Sequence, residues 1–226
     1  MKHYKPSRYP RRKPTRQAFL KIYKALRKHF GHRHWWPGET PFEVIVGAVL
    51  TQNTAWRNVE KAIENLKKAN VLSVEALHKI PDKELAELIR PAGYFNVKAK
   101  RLKNMIEFLR SRYRGDLDNM FKEKTEKLRE ELLTVNGVGE ETADSILLYA
   151  GGKPVFVVDA YTQRVFGRHR YLKGTEAYQE IQKIFMELLP RKTRLYNDYH
   201  AQIVEVGKDF CRKAPRCASC PLKSLL

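Results

Sequence analysis

The stretch that most constrains this chain runs from Leu132 to Arg164, LLTVNGVGEETADSILLYAGGKPVFVVDAYTQR. An apolar segment with helical spacing enters it through Leu128, Leu132 and Leu133, and another leaves through Ala143, Ile146, Leu147 and Ala150. Between them stands Asn136-Gly137-Val138-Gly139, in which two glycines flanking one apolar residue allow a tight reversal and close approach of another backbone. The second helix then begins beside the turn with N–H groups that have no partner within the helix, and such groups suit a phosphate oxygen. An apolar run, Val155 to Val158, ends at Asp159, a residue type that caps helix starts well. Each piece alone has a plain reading, a turn and a cap; their combination is more specific.

Few strand patterns occur, and the Val155–Val158 run is too short to support a sheet, so the chain reads as all-α. Helical spacing predicts helices over 17–30, closed by Gly31, then from Pro41, a residue suited to a first turn. Further helices are expected over Trp56 to about Lys68, 73–79, 82–89, from the Gly93 region to about Tyr113, 160–168, 175–188 and 193–208, while 116–121 and 125–134 lead into the hairpin. The run Phe42-Glu43-Val44-Ile45-Val46-Gly47-Ala48-Val49-Leu50 is nearly all apolar, which predicts a helix buried on every side. It breaks at the polar cluster Thr51-Gln52-Asn53-Thr54.

The chain has 226 residues, with 44 Lys plus Arg against 25 Asp plus Glu, a net charge of +19. That excess favours a polyanionic partner, most commonly nucleic acid. No apolar run approaches the ~20 residues a membrane helix needs, and the charged N-terminus is not followed by the apolar region of a signal peptide. Three cysteines near the C-terminus do not make a secreted disulfide framework. The expected location is reducing and cytoplasmic, at the nucleoid in a prokaryote. Residues 1–16 carry seven Lys or Arg and three Pro and read as a flexible basic arm.

The motif Leu133-Thr134-Val135-Asn136-Gly137-Val138-Gly139, with Thr142-Ala143, Val157-Val158-Asp159 and Arg164-Val165, resembles the helix-hairpin-helix DNA glycosylases of the endonuclease III superfamily. The resemblance covers most of the chain beyond the arm. It implies two helical lobes, one spanning 37–150 and ending in the hairpin, the other joining 17–36 to 151–226, with the hairpin and Asp159 at the mouth of a DNA-binding cleft. It implies that Gln52, beside Asn53, enters the duplex and fills the gap left by a flipped nucleotide. It also places Gly93-Tyr94-Phe95-Asn96-Val97-Lys98-Ala99-Lys100-Arg101 near DNA, with Lys98, Lys100 and Arg101 as phosphate contacts, and Asn136, Gly137, Val138, Gly139 and Thr142 as the hairpin grip. A solvated basic face is the plain alternative for the three cations.

One departure from the family matters more than any match. The lysine that attacks the sugar in bifunctional members is here Glu141, and a carboxylate cannot form an imine. Asp159 remains as the catalytic carboxylate. The resemblance implies that it stabilises positive charge on the sugar and helps water attack, in an enzyme that releases a base and leaves the backbone intact. A closer resemblance is to the endonuclease III-like 3-methyladenine glycosylases, through Trp35-Trp36-Pro37, the Gly47-Ala48-Val49-Leu50-Thr51-Gln52-Asn53-Thr54 loop and the Glu at the hairpin. Trp35, Trp36 and Trp56 are the expected base pocket, since electron-rich faces attract a cationic purine; core packing is the alternative. The expected substrate is double-stranded DNA carrying a damaged base, bound by a monomer. The rival readings are a glycosylase for oxidised or mismatched pyrimidines, and a non-catalytic hairpin DNA binder.

Cys211, Cys217 and Cys220 resemble the family's iron–sulfur loop, in which four thiolates hold a [4Fe–4S] cluster. The first gap is five residues where the family has six, and the place of the fourth cysteine is Leu226. A cluster here needs another ligand. The alternatives are a degenerate loop held by packing, or a zinc site completed by a histidine.

Overall fold

The computed structural model describes residues 10–33 and 35–225. Residues 1–9, within the expected arm, and Leu226 lie outside that range. Twelve α-helices and no strand occur among the described residues, and no helix there is long and apolar enough to cross a membrane. The helices are α1 Arg16–Phe30, α2 Pro41–Leu50, α3 Trp56–Lys68, α4 Val74–Lys79, α5 Asp82–Leu88 and α6 Phe95–Tyr113, followed by α7 Leu117–Lys122, α8 Thr125–Leu133, α9 Glu140–Ser145, α10 Ala160–Arg168, α11 Tyr178–Leu188 and α12 Thr193–Asp209. Ser, Thr or Asp side chains accept a first-turn N–H at five starts: Thr15, Thr40, Ser73, Asp116 and Asp159. Each such cap is worth about 1 kcal/mol.

The helices divide into two units, one holding the chain up to Trp35 and from Pro154 onward, the other Trp36–Lys153. In the second unit α2 is the central helix. Every residue from Glu43 to Leu50 is buried, and α3, α6 and α9 pack round it. The one charge on that run, Glu43, meets Lys67 of α3 at 2.9 Å. α9 continues as a wider, π-helical turn, Ile146–Ala150. The turn ends where Gly151 N–H donates to the Ile146 carbonyl at 3.0 Å and Phe121 lies against Gly151, leaving no room for a side chain.

In the first unit α1, α10, α11 and α12 enclose an aromatic core. Phe156 stacks on Phe185 at 4.2 Å, and Phe19 and Phe166 lie within 4.9 Å of each other. Val155–Val158 is buried non-helical chain threading this core, with Gln182 Nε2 donating to the Phe156 carbonyl at 2.7 Å. α10 and α12 pack closely because position 207 is glycine; a Cβ there would run into the Tyr161 ring. The buried Asp198 carboxylate ties α1 to α12, accepting from Tyr23 Oη and Arg27 Nη1, each at 2.7 Å.

Part of the expected arm, from residue 10 onward, is described. Arg12 N–H donates to the Arg170 carbonyl at 3.0 Å, its guanidinium binds the Leu225 carbonyl, and Arg11 pairs with Glu176 at 3.6 Å. Arg11 and Arg12 thus contact the first unit through backbone and charge.

Candidate functional site

In the second unit the hairpin closes α8 onto α9. Gly137 has φ +94, a conformation that costs a side-chain-bearing residue, and a Cβ there would strike the Arg101 side chain. Gly139 has φ −97 and precedes the first turn of α9, with open space where its Cβ would be. No packing requires glycine at 139; what glycine provides is an unobstructed approach to the backbone. Val138 is buried beneath the turn. The two arms are joined by a buried ion pair, Arg129 Nε to Asp144 Oδ1 at 2.7 Å and Nη2 to Oδ2 at 3.0 Å. This bidentate geometry is the strong form of a guanidinium–carboxylate bond. The sequence reading passed over it, although Arg129 and Asp144 stand on the two arms either side of the turn.

Gln52 is stapled to this hairpin. Its Nε2 donates to the Gly137 carbonyl and to Thr142 Oγ1, both at 2.9 Å, and its Oε1 accepts from Arg101. The structure thus brings together Gln52, Arg101, Gly137 and Thr142, four residues singled out from the sequence. Asn53, at φ +54, follows directly. Asn136 offers its carbonyl to Asn104 at 3.0 Å. Lys100 is exposed.

Lys98 is different, and its reading as a phosphate contact is corrected. It is 1% exposed, and its Nζ donates to the carbonyls of Leu50 and Ala92, each at 2.8 Å, and to Thr54 Oγ1. Burial pushes the ammonium down to about 8, helped by Arg101. Lys98 binds the end of α2 to the turn before α6 and so holds both ends of the loop that carries Gln52. Beside it, Tyr94 is 75% exposed on a left-handed backbone, φ +47, an aromatic surface the sequence reading did not single out.

Two of the three tryptophans meet, and the third stands elsewhere. Trp36 meets Trp56 edge-on at 4.9 Å and Tyr149 at 5.0 Å, and Trp56 Nε1 donates to Glu60 at 2.7 Å. Trp35 belongs to the first unit, where the Lys208 ammonium lies 5.7 Å over its ring. Tyr149, reached through the π-helical turn, is the aromatic partner that the sequence reading missed.

In the first unit Asp159 caps α10. Its Oδ1 accepts from Thr162 N at 2.7 Å and Thr162 Oγ1 at 2.8 Å, while Oδ2 lies 3.6 Å from His200 Nε2. The side chain is 11% exposed. Burial works to raise its pKa, but the neighbouring His200 and the Thr162 donors outweigh it, holding the carboxyl below the ordinary range. Asp159 is therefore an oriented anion with one oxygen committed to the helix. Glu141, at the position of the family lysine, is exposed in the first turn of α9.

Cys211, Cys217 and Cys220 line one part-open, largely apolar pocket. Arg168 Nη1 donates to Cys211 Sγ at 3.3 Å, and Arg164 Nε to the Cys211 carbonyl at 2.6 Å. The donor set is soft and its surroundings are apolar, which suits a thiolate-held cluster. Among the described residues no three His, Cys, Asp or Glu side chains form a site for a single metal ion.

The chain belongs to the HhH-GPD superfamily of base excision DNA repair proteins, whose sequence profile matches residues 46–191. It is 52% identical over 211 residues to a Methanocaldococcus jannaschii protein named "Putative DNA repair glycosylase", covering 92% of this chain and 94% of that one. It is 30% identical over 185 residues to endonuclease III of Thermotoga maritima, covering 81% of each. Among solved structures, H. pylori 3-methyladenine DNA glycosylase (MagIII) bound to 1,N6-ethenoadenine matches at a TM-score of 0.73 and 33% identity, over 84% of this chain and 97% of that one. A non-covalent endonuclease III–DNA complex matches at 0.80 and 25% identity, over 93% and 94%. The protein is a DNA glycosylase of base-excision repair.

Proposed function

We propose that this glycosylase is monofunctional, that its substrate is double-stranded DNA carrying an alkylated purine such as 3-methyladenine, and that Asp159 is its catalytic carboxylate. The observation that carries this reading is the state of Asp159 beside His200: a nearly buried carboxylate held ionised, one oxygen fixed by Thr162. An amine nucleophile is absent at position 141, which is Glu.

In this reading the bond between C1′ and the purine nitrogen breaks first, and its electron pair leaves with the base. A purine already cationic from alkylation departs neutral and needs no added proton. The sugar is left with positive charge, which the Asp159 carboxylate stabilises because it is fixed before the reaction and shielded from bulk water. Water then adds to C1′ and gives up a proton through the carboxylate to solvent, leaving an abasic sugar in an unbroken strand. The hairpin N–H groups, Lys100 and Arg101 take phosphates, and Gln52 fills the vacated place in the duplex. The electron-rich faces of Trp36, Trp56 and Tyr149 suit a cationic aromatic base. The likeness to a 3-methyladenine glycosylase solved with ethenoadenine supports a purine. A cluster on Cys211, Cys217 and Cys220 would brace the C-terminal loop, and no chemical step passes through it.

The test is base release from methylated duplex DNA, with the products separated by chromatography and the same duplex assayed for nicking. Release of 3-methyladenine without nicking is expected. Nicking without added alkali overturns the monofunctional reading, and release of oxidised or mismatched pyrimidines alone overturns the substrate.

A further inference from the structure

We propose that His169 is the fourth ligand of a [4Fe–4S] cluster held by Cys211, Cys217 and Cys220. Three observations converge on this residue. His169 lines the cavity that the three cysteines line. It is 6% exposed, and its Nδ1 is buried without a hydrogen-bond partner. Its ring hydrogen-bonds the Leu225 carbonyl, the residue next to position 226, where the fourth cysteine of the resembled spacing would stand and this chain has leucine.

An orphaned nitrogen at such a depth is costly unless something binds it. A soft metal centre is the partner that the surrounding thiols select. A single ion does not fit, since no three donors among the described residues form such a site. A cluster spreads its four ligands over four metal corners and so tolerates a wider set. The secondary structure supplies the donors from firm ground. His169 ends α10, Cys211 follows α12 with its N–H on the Val206 carbonyl at 2.7 Å, and Cys217 and Cys220 flank a single 3₁₀ turn closed at 3.2 Å. Arg164 and Arg168, one turn apart on α10, hold the Cys211 end of the loop against that helix. The Arg168 bond to Cys211 Sγ is of the kind that tunes cluster thiolates.

The test is anaerobic reconstitution of the full chain with ferrous iron and sulfide. Iron and sulfide are then measured after gel filtration, and pulsed electron paramagnetic resonance is recorded on the reduced sample. Wild type is expected to hold a full cluster showing nitrogen-14 hyperfine coupling from a bound imidazole. His169→Ala should lower retained iron at least about tenfold, since even outer-shell changes reach that size, with helical circular dichroism unchanged. His169→Cys should restore the iron and abolish the nitrogen coupling. A wild-type cluster without nitrogen coupling, retention of zinc in place of iron, or no iron at all overturns the proposal. If His169→Ala fails to fold, the wild-type coupling still decides.

Discussion

Gln52 and Gly137 are bonded across eighty-five positions of sequence, side-chain Nε2 to carbonyl oxygen at 2.9 Å. The residue proposed to enter the duplex is therefore held, without DNA, by the turn proposed to grip it. Entering the duplex means breaking this bond and those to Thr142 and Arg101. Gln52→Ala is expected to lose about 1–3 kcal/mol of stability from the severed hydrogen bonds. It should also lower kcat/KM for base release at least about tenfold, each 1.4 kcal/mol of lost transition-state binding being one decade. A thermal melt beside a kinetic assay checks both, and unchanged kinetics would remove Gln52 from the reaction.

The two hairpin glycines should separate. Gly137→Ala forces a strained φ and a clash with Arg101, and should destabilise by about 1–3 kcal/mol. Gly139→Ala meets open space at an ordinary φ, and should leave the melting temperature within a degree or two while weakening duplex binding. Equal DNA affinity for wild type and Gly139→Ala would place the phosphate elsewhere.

Lys98→Met and Lys100→Ala test the correction made at α6. Losing Lys98 strands the Leu50 and Ala92 carbonyls, an expected cost of about 2–4 kcal/mol in denaturant unfolding, with the salt dependence of DNA binding unchanged. Losing Lys100 should leave stability alone and reduce the slope of log affinity against log salt by about one.

Asp159→Asn keeps a good helix cap and removes the anion. Folding and damaged-DNA binding should persist while base release falls about 10²–10³-fold or more. Because the folded carboxyl titrates below its ordinary value, its contribution is present above the unfolded value and is lost only as pH falls through the lower, folded one. Activity should therefore persist into the acid range. His200→Asn removes the imidazole that helps hold the Asp159 carboxyl low, so the acid limb of the pH–rate profile should move upward. An unmoved limb would show that another group sets it.

Glu141→Lys places an amine in the exposed first turn of α9. If position 141 corresponds to the lysine of the bifunctional enzymes, borohydride should trap a protein–DNA adduct with this variant and none with wild type.

The helices were readable where local chemistry decides them. Pro41, with Thr40 capping, starts α2, Gly31 closes α1, and the apolar spacing of Val59, Ile63 and Leu66 marks α3. α11 starts at Tyr178 and not near 175. The Glu176 carboxylate takes the N–H groups of Lys173 and Gly174 at 2.6 and 2.8 Å, folding that segment into a loop that residue type alone does not reveal. Lys98 was misread from its charge, yet it lies four residues before Leu102 and in line with the buried Ile106 and Leu109; its place on the apolar stripe was the available signal. His200 stands four residues from buried Tyr196 on α12 in the same manner, but its meeting with Asp159 joins distant parts of the chain. The bond from Gln52 to the hairpin and the gathering of His169 with the cysteines likewise depend on tertiary packing, which no local pattern encodes.

The Arg129–Asp144 pair has a bearing on how salt acts on this enzyme. The Asp144 side chain is fully enclosed and that of Arg129 only 21% exposed, so mobile ions screen their attraction far less than they screen contacts on an open surface. Raising ionic strength should strip the enzyme from DNA while the two arms of the hairpin stay locked, as hydrogen exchange on α8 and α9 would register. The protein would then let go of its substrate with its grip still formed, and dilution of the salt would restore binding without any refolding step.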